Sequence, residues 1–323
     1  MAQTFFFGGN KTIGAALAQR LAEAGYNQAD TVEAADFVFT YHPLLSQLED
    51  AYFDGAGYLA KAKKGAYLID LSPATPELVR EISAVASVSD LYFVEAPLAV
   101  NDVTLPDAFA DRGNLACCLA GDKPDMAAAQ EVLKHFVGAV HVLGEAGSAQ
   151  LAHAAWALQH AAQVQAAIEA EALYRATLRI PTSASAAAEG NSGAIGPESA
   201  AIVEAITQKR FAGTYTVEMF MADLSAALTA ADDADLILPQ AEACMNLLEL
   251  LAIIGDSDYS PVSLALIYDD EDAAATQGLD WSRAEEYSAE MGAHAHEHHD
   301  EYDDDDDDDF GGYADLFGQF TDN

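Results

Sequence analysis

The chain has very little positive charge: 14 Lys and Arg stand against 53 Asp and Glu over 323 residues, a formal net charge of −39. Residues 293–323 hold 12 of the acids and no Lys or Arg, which leaves 14 basic against 41 acidic residues before them. An excess of that size repels polyanions, so nucleic acid and anionic membranes are not expected as partners. Cysteine is scarce as well. Cys117, Cys118 and Cys244 are odd in number with two adjacent, so they give no disulfide framework and no zinc spacing, and no metal site is expected from them. They read as small buried hydrophobes in a reducing cytoplasm. No apolar run approaches the roughly 18 residues that a bilayer span requires. The opening MAQTFFFGG has neither a basic n-region nor a cleavage-site pattern, so a cytoplasmic protein is expected. What is present is apolar bulk: 51% hydrophobic residues over a length that allows two ordinary domains with buried cores.

The hydrophobic pattern divides the chain near residue 145. Before it, short apolar runs alternate with helical spacing. Strands are expected at 4–8, 37–40, 66–71, 91–94, 115–120 and 139–143, with helices at about 13–24 and from Thr75-Pro76 to about Val85. Alternation of that kind argues for a largely parallel sheet covered on both faces. Between the first helix and the strand at Phe37, the run Gly25-Tyr26-Asn27-Gln28-Ala29-Asp30 leaves little room for anything else. After Gly147 strand signals stop. Helices are expected at 148–178, 199–208, 216–231 and 239–254, with a break rich in Ser, Ala and Gly over Ile180–Pro197. The expected organisation is an α/β unit over 1–145, an all-helical unit over 146–268, and an acidic tail over 269–323. In that tail His294, His296, His298 and His299 interleave with acids, Asp303 to Asp309 form a run, and Phe310–Phe320 carry apolar residues at helical spacing. Like-charge runs repel and bury nothing, so the tail is expected to be disordered. Its last segment is either a docking motif or a free end.

The first glycine turn is Gly9-Asn10-Lys11-Thr12-Ile13-Gly14. A dinucleotide fingerprint places its first glycine in the tight turn, its second where backbone meets pyrophosphate, and its third against the strand. Here Lys11 stands at the second position. Further along come Asp36 to Pro43, Gly65-Ala66-Tyr67-Leu68-Ile69-Asp70-Leu71-Ser72-Pro73 and Val94-Glu95-Ala96-Pro97-Leu98-Ala99. Gly144 to His153, Tyr215 to Leu224, Pro239 and Gly255 to Ser260 complete the series. In this order the motifs resemble the β-hydroxyacid dehydrogenases. That group contains 3-hydroxyisobutyrate dehydrogenase, 6-phosphogluconate dehydrogenase and the imine reductases. The likeness runs over about residues 4–265.

The resemblance implies a Rossmann-like domain followed by an all-α domain, and hydride transfer with NADP or NAD in the cleft between them. It also implies a homodimer joined through the helical domains. Carried over by position, the cofactor turn falls on Gly9, Lys11 and Gly14, and the nicotinamide-side loop on Ser72. The substrate loop falls on Ala99 and Asn101, where the family has a Ser and glycines. The general acid/base Lys becomes His153, and the Asn one turn later becomes Trp156. The cofactor-contacting Lys of a K-D pair becomes Ala222, while Asp223 is kept. The second strand–helix unit, which in the family recognises the adenosine ribose, is apparently missing.

Rival readings stand beside each of these. His153 is either an acid replacing the Lys or a buried helix histidine beside Trp156. Asp70 and Ser72 line a nicotinamide loop or cap a strand end. Asp223 touches a ligand or packs. The histidines at 294–299 make a weak metal site or none. For the whole chain three functions follow. One is an NAD(P)-dependent oxidoreductase with an altered active site, acting on a small keto, imino or hydroxy-acid substrate. Another is a catalytically inactive relative serving as a binding or regulatory subunit, as a homodimer or with a heteromeric partner. The third is an enzyme that reuses the interdomain cleft without a dinucleotide.

Overall fold

The computed structural model describes residues 3–178, 197–256 and 258–287. The N-terminal half is a sheet whose first strands run parallel. β1 (Thr4–Gly9) is followed by α1 (Lys11–Glu23), β2 (Asn27–Gln28), β3 (Phe37–Tyr41), α2 (Leu45–Phe53) and α3 (Tyr58–Lys61). Then come β4 (Tyr67–Asp70), α4 (Pro76–Val88), β5 (Tyr92–Glu95), β6 (Leu98–Val100), β7 (Leu115–Gly121), α5 (Lys123–Leu133) and β8 (Ala139–Val142). The strand order is β2-β1-β3-β4-β5-β7-β6, with β8 on the free side of β7. β7 runs antiparallel to β5 and β6 and parallel to β8, so the expectation of a largely parallel sheet holds with two strands, β7 and β8, reversed.

Period-two burial assigns the two faces. Phe37, Phe39 and Tyr41 of β3 join the core shared with α1 and the C-terminal helices, while Val38 joins the opposite core with Leu48, Tyr52 and Leu68. α1 forms because Asn10 caps it and Ile13, Leu17 and Leu21 recur every four residues on its buried stripe. α4 starts in the same manner, with Thr75 as cap and Pro76 in the first turn. The second strand–helix unit is reduced rather than missing. β2 pairs two residues with β1, and a single 3-10 turn at Val32–Ala34 stands where a helix is expected.

The C-terminal half is helical: α6 (Ser148–Leu178), α7 (Pro197–Thr207), α8 (Val217–Asp232), α9 (Pro239–Ile254), a 3-10 segment (Pro261–Tyr268) and α10 (Glu271–Ala275). α6 runs through the middle, against α8, α7 and the 3-10 segment. Residues 269–287 depart from the expected tail. Ala274 and Leu279 are buried, Asp280 N donates to Ile254 O at 2.8 Å, and Asp269 pairs with Arg175 at 2.6 Å. Enough apolar residues recur there to pack, and the negative charge that suggested disorder is concentrated further on. The break after α6 up to residue 196, the His294–His299 cluster, the Asp303–Asp309 run and the Phe310–Phe320 segment lie outside the described residues. Among the described residues no helix is long and apolar enough to cross a membrane.

Candidate functional site between the sheet edge and the helices

In this sheet the chain turns from β1 to β2 on one side and to β3 on the other. The carboxyl ends of β1 and β3 therefore flank the switch point where such folds bind ligands. Gly9 sits there with φ +100°, and a β-carbon on it would fall 1.9 Å from Tyr41 O, so the turn admits only glycine. A β-carbon on Gly14 would meet the Phe7 ring at 2.6 Å, which is the close helix–strand packing the third glycine serves. The middle of the turn is different. Asn10 Oδ1 accepts from Thr12 N at 3.0 Å and Ile13 N at 3.1 Å, the two amides at the opening of α1. Tyr58 closes the other side. A β-carbon on Gly8 would lie 1.9 Å from its hydroxyl, which is also 3.3 Å from His42 Nε2. Burial lowers the His42 pKa, so the imidazole supplies no fixed cation. Lys11 is exposed beside the turn.

Behind the turn lies a buried polar hub. Asp70 Oδ1, at the end of β4, accepts from Thr40 Oγ1 at 2.8 Å and Ser72 Oγ at 2.7 Å, while Oδ2 has no partner. Burial raises the Asp70 carboxyl to about 6 against these hydrogen bonds. Ser72 is fully buried, and its hydroxyl also accepts from His42 N at 2.9 Å. Gln150, in the first turn of α6, donates to Ser72 O and accepts from Ala74 N, both at 3.0 Å. Glu95, at the end of β5, accepts from the backbone amides of Gly147, Ala149 and Gln150. Burial nevertheless lifts its carboxyl to about 7. These contacts fasten α6 to the sheet edge.

One turn along α6, His153 Nε2 lies 2.9 Å from Asp223 Oδ1 of α8, and Tyr215 OH donates to Asp223 Oδ2 at 2.5 Å. His153 and Asp223 are each about 2% exposed. Trp156 lies between His153 and His160 with its ring tilted to both, centroids at 5.2 and 4.8 Å. His153, Trp156 and Asp223 are thus brought together. Ala99 and Asn101 are placed elsewhere: they sit on β6 and just after it. Asn101 and His160 border a separate cavity of about 640 Å³ between that loop, α6 and α7. Asn10, Tyr58, Glu95, Gln150 and Tyr215 were not singled out from sequence. Asn10 carries an N-cap signature just before a helix; the others have no local signal.

The open space between the two halves is a cavity of about 760 Å³. Pro43, Leu44 and Pro73 form one wall and Ala222, Ser225 and Thr229 of α8 the other. Asp232, Asp235 and Glu242 also line it, and among the described residues no Lys, Arg or His does. The fit of a dinucleotide is tested by these contacts. Its pyrophosphate needs free amides or cations at the switch point. Thr12 N and Ile13 N at the opening of α1 are already bonded to Asn10, Tyr58 stands against Gly8, and the cavity between the two halves carries carboxylates. The residues present do not fit the phosphates of a dinucleotide bound in the usual way.

Comparisons with known proteins agree with this architecture. A family model described as the NAD binding domain of 6-phosphogluconate dehydrogenase matches residues 5–144. The chain is 30% identical over 137 residues to the uncharacterized oxidoreductase YkwC of Bacillus subtilis, covering 41% of this chain and 46% of that protein. It is 25% identical over 278 residues to a probable 3-hydroxyisobutyrate dehydrogenase-like 1 of Arabidopsis thaliana, covering 84% and 80%. The human mitochondrial 3-hydroxyisobutyrate dehydrogenase is 32% identical over 124 residues, 38% and 35%. The first and third of these alignments span less than half the length of the relatives they match. Among solved structures, 3-hydroxyisobutyrate dehydrogenase of Mycobacterium tuberculosis with L-serine superposes with a TM-score of 0.66 at 20% identity, covering 84% of this chain and all of that one. Psf3 in complex with NADP+ and 2-OPP gives 0.65 at 16%, over 82% of this chain. These structural likenesses are ones of fold. With the fold, the motif order and the matched N-terminal domain in agreement, residues 5–144 are similar to the NAD binding domain of 6-phosphogluconate dehydrogenase, and the chain as a whole shares the two-domain fold of the 3-hydroxyisobutyrate dehydrogenases.

Proposed function

We propose that the chain is a family member that has left dinucleotide-dependent hydride transfer and acts as a binding or regulatory subunit. The observation that carries this reading is the state of His153. At the position of the family's acid/base lysine it is shut from solvent, its Nε2 held by Asp223 and its face covered by Trp156. A group so engaged has no open path to a proton on a substrate. The unsuitable phosphate site supports the same reading.

A second reading is favoured by one feature. A carboxylate that orients a histidine, here Asp223 with Tyr215 behind it, is the usual support of a general acid. On that reading the chain is an oxidoreductase using NADP or NAD on a small keto, imino or hydroxy-acid substrate.

Thermal unfolding with NADH, with NADPH and with neither separates the two. A dinucleotide at about 100 times its dissociation constant adds about 2.7 kcal/mol. The first reading expects no shift at millimolar concentration. An upshift of several degrees with either dinucleotide overturns it in favour of the second.

A further inference from the structure

We infer that Asn10 and Tyr58 stand in the place of the pyrophosphate, and that their side chains are what deny this chain a dinucleotide. This deepens the non-dehydrogenase reading. It rests on that reading only for the statement that the native chain binds no dinucleotide.

The argument begins with backbone donors. The opening amides of a helix have no partner inside it, so they are met by a cap, by water or by an anion. In α1 two of them, Thr12 N and Ile13 N, are met by Asn10 Oδ1 at 3.0 and 3.1 Å. Asn10 is itself held by its backbone: its amide donates to Tyr41 O at 3.1 Å and its carbonyl accepts from Gly14 N at 3.0 Å. Its side chain therefore caps from a fixed base.

A second contact comes from another element. Tyr58 opens α3 and sets its hydroxyl against Gly8, where the absence of a β-carbon in other circumstances admits a ligand. The ring packs edge-on to Tyr52 at 5.3 Å, and Tyr52 OH is hydrogen-bonded to Thr40 Oγ1, so the tyrosine is braced from behind. Two side chains from separate elements thus converge on the switch point. The rest of a phosphate site is still there: Gly9 keeps its left-handed turn, Gly14 its close packing, and Lys11 is exposed at the first position of α1. The turn is obstructed rather than dismantled.

The experiment is a gain of binding. Native chain, Asn10→Gly, Asn10→Ser and the double variant Asn10→Gly/Tyr58→Phe are titrated with inorganic pyrophosphate, NADH and NADPH by calorimetry. About 1 M KCl screens the negative charge of the chain. Glycine is nearly as good a cap position as asparagine but leaves the amides free, and serine still caps. Asn10→Gly is expected to bind pyrophosphate and at least one dinucleotide about tenfold or more tightly than the native chain. The double variant should bind more tightly again, and Asn10→Ser should behave as native. An Asn10→Gly chain that melts within a few degrees of native yet gains nothing overturns the inference, as does an equal gain in Asn10→Ser. Tight dinucleotide binding by the native chain overturns the proposed function. It overturns the inference as well, whereas a native chain that binds neither dinucleotide beside an Asn10→Gly chain that gains nothing overturns the inference alone.

Discussion

His153 of α6 and Asp223 of α8 meet at 2.9 Å in a place that solvent does not reach, and Tyr215 closes the far side of the carboxylate. The contact joins two helices through groups that are costly to bury alone. Asp223→Ala removes the acceptor of both partners and leaves an imidazole and a phenol unpaired. Breaking such a buried pair costs about 3 kcal/mol or more. Urea unfolding should show that loss, with a non-additive His153→Leu/Asp223→Leu double variant. A loss under about 0.5 kcal/mol would place the pair on a surface instead.

Glu95 predicts a pH dependence. Its carboxyl, ordinarily near 4.5, is lifted by burial to about 7 in the folded chain, so the folded state holds its proton over that interval while the unfolded state does not. Stability from this group is complete below about 4.5 and is lost as pH rises through about 7. Asp70, raised from 3.8 to about 6 mainly by burial, adds a loss of the same sign over its own interval. Glu95→Gln should flatten the stability profile between these limits. A variant profile parallel to the native one between pH 4.5 and 7 contradicts this.

Gly9→Ala tests the turn. The residue holds φ +100°, and the new methyl would fall 1.9 Å from Tyr41 O, so backbone strain and a clash add. A loss of about 3 kcal/mol is expected by chemical denaturation, a large effect for one methyl group. Gly25→Ala, with φ +92° but nothing within 4 Å, should cost less and serves as the comparison.

The three cysteines should be slow thiols. Cys117 and Cys244 are buried, and burial raises the pKa of all three. Alkylation at pH 8 is expected to be slow in the folded chain and fast in denaturant, with Cys118, only half-buried, reacting first. Mass spectrometry of the labelled peptides gives the order; Cys117 reacting first would contradict the packing of β7.

The sequence carries the regular elements well because periodicity is a local property. The α6 boundaries and the strands from Phe37, Leu115 and Ala139 are readable from spacing alone. β6 was missed because three residues give no period. The reversal of β7 has no local signature either, since direction is set by which edge remains free. Glycines at 9 and 14 announce a turn, yet whether the turn is open depends on Tyr58, nearly fifty positions away. Similarly His153 and Trp156 are legible as neighbours on one helix, while Tyr215 enters only through the fold. Residues 269–287 show the opposite error: local acidity outweighed a few apolar anchors that tertiary packing uses.

α6 is fixed at both extremities by different parts of the molecule. Near its start Glu95 and Gln150 bind it to the sheet edge; near its end Arg175 reaches Asp269. At about 1.5 Å per residue the stretch between these anchorages is about 40 Å long. It is a lever whose fulcrum is the ligand-facing end of the sheet. A tilt of about 5° at the fulcrum, small enough for side chains to absorb, carries the far end through about 3–4 Å for that length. A ligand that displaced the first turn of α6 would therefore act, through the length of one helix, on the Arg175–Asp269 contact at its other end.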